Sequence, residues 1–215
     1  MKTSQIPSKK IFLTFLVLLG WFALILQYYV MITTKKEDMS ELTIRFFSYF
    51  TILSNLLVSI SSTVLLLKPN IALTKFLSLP KTLTATTVYI VIVSIIYNTM
   101  LRFVWHPEGL FKVADELLHL IIPLIFFIYW LIYVKKDELQ WSDFRPWLIF
   151  PFLYMIFILL SGAFSGFYPY PFINVTQLGY IKVFINAFFI TIVFIMVSCL
   201  FIGIGKLMTR NIALK

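Results

Sequence analysis

Long apolar runs separated by short polar breaks organise this chain. The runs cover residues 11–30, 45–67, 83–105, 113–134, 145–167 and 181–207. Each reaches or approaches the roughly 20 residues that a helix needs to cross a bilayer. The breaks carry turn chemistry: Lys68-Pro69-Asn70, His106-Pro107 with Gly109, the segment KKDELQWSD, and YPYPFINVTQLGY. The leader MKTSQIPSKK has the charge order of a signal peptide. The apolar run after it is too long for such a segment and lacks a small-residue cleavage site, so it reads as span one.

The second run contains RFFSYFTILSN at 45–55, where polar residues recur inside apolar sequence. Ser48, Thr51, Asn55, Ser59 and Ser62 follow 3–4 spacing and share one face of a continuous helix. On such a helix Thr51 lies roughly 9 Å below Arg45, at about 1.5 Å per residue. A polar stripe in a membrane helix must face protein or a wet cavity. For Ser59 and Ser62 the ordinary reading is small-residue helix packing.

Composition sharpens the class. Of 215 residues, 60% are hydrophobic and 13% charged, with mean hydropathy +0.95. That excludes an ordinary soluble domain and predicts an all-α polytopic membrane protein, a six-helix bundle forming one integral-membrane domain over 1–215. The net charge of +9 sits in short loops, which points to contact with anionic lipid rather than nucleic acid. The single Cys199 allows no intrachain disulfide, and two histidines exclude a three-histidine metal site. No metal or cofactor is expected. Lys and Arg number three each at the N-terminus, in 68–81, in 135–145 and in the C-terminal tail, against six in the alternate loops. The excess predicts both termini in the cytoplasm of a multi-pass membrane protein.

This topology puts the functional polar groups at one level. Thr51 and Asn55 fall in the outer half of span two, Asn98 and Arg102 in the outer half of span three, Asp115 and His119 early in span four, and Lys182 and Asn186 early in span six. A shared, partly hydrated pocket opening outward accounts for the segregation. His119 is the one histidine inside a span, and Asp115 lies four residues before it on the same face. A carboxylate there would fix the imidazole tautomer, and Thr51 would supply a hydroxyl nucleophile. Asn55, Asn98, Arg102 and Asn186 are candidate donors to an oxyanion or a carboxylate head group. Tyr168 and Tyr170, in the proline-stiffened YPYPF loop, are expected to form a rigid lid over the pocket.

FSYFTILSNLL (47–57), YNTMLR (97–102), DELLHLIIPL (115–124) and YPYPF (168–172) occur in this order. Together they resemble the bacterial branch of the androgen-induced and androgen-dependent membrane-protein family. The resemblance runs from the first span to the sixth. It implies six spans and membrane threonine hydrolysis of fatty acid esters of hydroxy fatty acids, with Thr51 as nucleophile and His119 as the essential histidine. A lipid or fatty-acyl ester is then the expected substrate, with membrane lipids as the other partners. Asp115 is not implied by the resemblance and rests on spacing alone. Two other readings compete. AFSG at 163–166 approaches the GxSG pattern of an intramembrane serine protease, but position 163 is Ala, and Ser165 with Gly162 and Gly166 reads better as a helix contact. A non-catalytic lipid or small-molecule carrier would use the same pocket, with Thr51 only a hydrogen-bond partner.

Overall fold

A computed structural model describes residues 5–213; the first four residues of the basic leader and the last two of the tail lie outside the described residues. The described chain is helical, and six helices are long and apolar enough to cross a membrane. In order they are α1 (Gln5–Thr34), α2 (Met39–Phe47), α3 (Phe50–Leu67), α4 (Ala72–Leu77), α5 (Pro80–Ile96), α6 (Gly109–Glu116), α7 (Ile122–Tyr133), α8 (Phe144–Trp147), α9 (Ile149–Ser165) and α10 (Val175–Ala213). A π turn, Tyr97–Leu101, extends α5, and a second, Leu117–Ile121, joins α6 to α7 into one span. The spans are thus α1, α3, α5, α6–α7, α9 and α10. The two helices that α10 comprises meet at Gly179, whose φ of 73° is non-helical, close to the expected start at 181.

The core lies where α3 and α5 are enclosed by α1, α7 and α10. Leu16, Val58, Ile90, Ile122, Phe126 and Trp130 are fully buried there. α1 packs tightly on α3. A Cβ on Gly20 would stand 2.4 Å from Ser59 Oγ, so only glycine admits this contact. Ser59 turns its hydroxyl onto the Asn55 carbonyl at 2.9 Å. Phe152, Phe164, Phe184 and Phe188 stand exposed along α9 and α10, the pattern of helices that face lipid. Tyr133 bonds Ser8 at 3.3 Å, and Gly205 of α10 abuts Leu139. The start of α1 and the end of α10 therefore share one end of the bundle.

Span two departs from the expected continuous helix. It divides at Ser48-Tyr49, and α2 and α3 are separate. Two i→i−3 bonds, Ser48 N to Arg45 O at 3.1 Å and Tyr49 N to Phe46 O at 3.4 Å, close α2. Tyr49 then turns extended (φ −83°, ψ 126°). The Tyr154 hydroxyl donates to the Ser48 carbonyl at 2.8 Å. In an unbroken helix that carbonyl would have received the Ile52 N–H. Arg45 is consequently not on the helix of Thr51. It pairs with Glu37 at 2.6 Å and with Glu41 at 2.5 Å, and lies over the Phe167 ring, 4.7 Å from its centroid.

The AFSG segment also takes another role. Gly166 adopts φ 71° and caps α9, its N–H reaching Gly162 O at 2.8 Å. Gly162 is the seat of Tyr168, since a Cβ there would stand 2.2 Å from the ring. Ser165 is exposed and bonds Ser161 O and Phe167 N within the cap.

Candidate active site

The break before α3 puts Thr51 in the first turn of that helix. Amides in a first turn lack intrahelical acceptors, and the N-cap residue, Tyr49, supplies no side-chain acceptor. The Thr51 N–H instead donates to the Tyr170 hydroxyl at 3.3 Å. Thr51 itself is only 7% exposed.

Opposite Thr51 stands His119, in the middle of the second π turn. The cause of that turn is four residues downstream. Pro123 has no N–H, and its ring would press on the carbonyl of residue i−4, His119. The ladder adjusts by one residue, so Ile122 N–H reaches back to Leu117 O. Leu118 O thereby loses its usual donor, the Ile122 N–H, and His119 O finds none at Pro123. Two asparagines satisfy them. Asn55 Nδ2 donates to Leu118 O at 3.1 Å and to Thr51 O at 2.8 Å. Asn98 Nδ2 donates to Ser94 O at 2.8 Å and approaches His119 O at 3.4 Å. The amide of Asn55 thereby bonds the backbones of both Thr51 and Leu118. π turns within α-helices recur at functional sites; here both π turns border the same cavity.

Thr51 Oγ1 and His119 Nε2 are 3.3 Å apart. His119 Nδ1 lies 2.9 Å from the Asp115 carbonyl oxygen and 3.2 Å from Asp115 Oδ1. Both neighbours of Nδ1 are acceptors, so Nδ1 carries the proton in the neutral ring and Nε2 is free to accept from Thr51. Asp115 is 6% exposed, and its other oxygen takes a very short hydrogen bond from the Tyr97 hydroxyl. The Tyr97 ring stacks on the imidazole at 3.9 Å with an interplanar angle of 17°. Tyr97 therefore holds the carboxylate with its hydroxyl and the imidazole with its face. Sequence reasoning missed this residue.

The expected polar partners divide. Thr51, His119 and Asp115 are brought together. Asn55 and Asn98 brace backbone carbonyls, and their amide donors do not point at the Thr51 hydroxyl. Arg102 pairs with Glu116 at 2.7 Å and lies over the Tyr97 ring at 5.4 Å, outside the cavity lining. Asn186 donates to Phe172 O at 2.8 Å, which ties the 166–174 loop to α10. Tyr168 and Tyr170 line the cavity together with Pro169 and Pro171. Burial pushes the Tyr170 phenol up to about 12, so its hydroxyl keeps its proton at neutral pH.

Two cavities meet at Thr51. The larger, about 480 Å³, is lined by Asp115, His119 and the loop tyrosines, with Gln27, Lys35, Asn174 and Gln177 among its polar residues. The smaller, about 80 Å³, is lined by apolar side chains of α5, α9 and α10, including Ile92, Met155, Ile190 and Phe194. Thr51, Tyr97, Leu101 and Tyr170 border both. No family model matches this chain, and neither curated proteins nor solved structures gave a match.

Proposed function

We propose that this chain is an integral-membrane hydrolase of lipid esters, with Thr51 as nucleophile and His119 as general base. One observation carries the reading. A threonine hydroxyl at the junction of a polar and an apolar cavity lies 3.3 Å from an imidazole nitrogen whose ring partner is held by two acceptors. A hydroxyl nucleophile needs a base, and the base needs an orienting group. The order of motifs that resembles the androgen-induced and androgen-dependent family points to the same pair.

The acyl tail enters the apolar cavity and the alcohol part lies in the larger one. Thr51 Oγ1 bonds the carbonyl carbon and gives its proton to His119 Nε2, and the carbonyl electron pair moves to oxygen. When the pair returns, the bond to the alkoxy oxygen breaks, and the leaving oxygen takes the proton from Nε2. Water then attacks the acyl-threonine and gives a proton to Nε2. That proton returns to Thr51 Oγ1 as the acid departs. Asp115 and Tyr97 hold the imidazole throughout.

The excess of Lys and Arg at the end holding residues 5 and 213 supports a cytoplasmic location for that end, and the motif resemblance supports a bacterial plasma membrane. The active site would then face the outer leaflet. Turnover of a panel of lipid esters by the purified protein, beside Thr51→Ala, tests the reading. Hydrolysis that disappears with Thr51→Ala supports it. Saturable binding of the same esters without turnover would favour a carrier.

A further inference from the structure

The hydrolase reading leaves one requirement without a residue. The carbonyl oxygen becomes negative when Thr51 attacks, and a preorganised donor stabilises that charge without the reorganisation that water would need. The donors suggested by depth along the spans are engaged elsewhere: Asn55 and Asn98 on backbone carbonyls, Arg102 on Glu116, and Asn186 on the Phe172 carbonyl. The Tyr154 hydroxyl is engaged by Ser48 O.

Tyr170 remains. Its hydroxyl oxygen lies 3.4 Å from Thr51 Oγ1 and 3.3 Å from Thr51 N. The backbone amide donates to this oxygen, so the phenolic hydrogen is left to point at an acceptor. The residue also borders both cavities, so an ester lying across them with its carbonyl at Thr51 passes under this hydroxyl. Its ring is held in place by Phe172, stacked at 5.2 Å and 4°, and by Tyr49, edge-on at 5.8 Å. We infer that the Tyr170 hydroxyl is a catalytic donor, hydrogen-bonding the carbonyl oxygen as it becomes an oxyanion during attack by Thr51. The inference rests on the hydrolase reading. It makes the 166–174 loop a part of the catalytic machinery as well as a cover.

The test uses Tyr170→Phe, which deletes the hydroxyl and keeps the ring. Two ligands of equal chain length are compared on the full-length protein: a decyl trifluoromethyl ketone, which adds the Thr51 oxygen to give a tetrahedral alkoxide, and the decyl methyl ketone, which binds unreacted. Loss of one oxyanion donor typically costs about 10²–10³ in rate. Tyr170→Phe should weaken the trifluoromethyl ketone by such a factor, slow ester turnover in proportion, and leave methyl ketone binding within about twofold. Equal weakening of both ketones would make Tyr170 a packing residue and overturn the inference, as would unchanged binding of both. If the unmutated protein forms no adduct at Thr51, the hydrolase reading itself falls and takes this one with it. If Thr51→Ala abolishes the adduct while Tyr170→Phe is silent, the hydrolase reading stands alone.

Discussion

Replacing Pro123 by alanine should detach the histidine from the threonine without unfolding the protein. Alanine restores an N–H four residues after His119, and the His119 carbonyl can then pair within its own helix. The π turn loses its cause. Removing the extra residue from the ladder changes the register by about 100° and about 1.5 Å. The Thr51–His119 contact is 3.3 Å long, so even a partial adjustment of about 1 Å breaks it. Misplacement of that size can cost about 100-fold in rate. Stability should not suffer, because proline inside a helix is about 3 kcal/mol less favourable than alanine. What is given up is the Asn98 contact to His119 O, which at 3.4 Å is a weak one, and the Asn55 bond to Leu118 O, whose place the Ile122 N–H takes. The rate of Thr51 modification by a fluorophosphonate, measured beside thermal melting in detergent, reads both effects. Pro123→Ala with an unchanged melting temperature and an unchanged labelling rate would refute the link between Pro123, the π turn and the position of the histidine.

Other substitutions separate the parts of the site. Thr51→Ala and His119→Ala should each abolish turnover, and the double variant should be no worse than either, since the pair acts as one unit. Tyr97→Phe removes the hydroxyl on Asp115 and keeps the stack on His119; labelling should slow by about tenfold, equivalent to about 1.4 kcal/mol. Asp115→Asn should cost less than His119→Ala, because the Asp115 backbone carbonyl still holds Nδ1. Gly162→Ala drives a methyl group into the Tyr168 ring; a loss of about 1–3 kcal/mol in stability, with faster proteolysis in 166–174, is the expected outcome.

The six spans were legible because apolar runs of this length have few other readings, and six membrane-length helices fall on them with ends within about six residues of the expected bounds, span two opening at Phe50 instead of 45. The break at Ser48-Tyr49 was not, since neither Gly nor Pro marks it. It depends on Tyr154, more than a hundred residues away, capping a carbonyl. Depth along the spans was enough to collect Thr51, Asp115 and His119. Depth says nothing about which way an amide points, and Asn55, Asn98, Arg102 and Asn186 were resolved only by their partners. Tyr97 and the hydroxyl role of Tyr170 were hidden among 11 tyrosines and 23 phenylalanines, in which one more ring carries no signal. Pro123 did carry one: a proline four residues after the only histidine inside a span marks a disturbed ladder at that histidine.

Whether His119 activates the Thr51 hydroxyl is read from the site at which a fluorophosphonate modifies the protein. In the reaction the Thr51 oxygen bonds phosphorus, fluoride leaves, and the threonine proton passes to His119. An adduct is expected on the peptide containing Thr51 and is expected to be absent from a folded His119→Ala variant. An adduct confined to another hydroxyl, or one on Thr51 that forms as fast without His119, would contradict it.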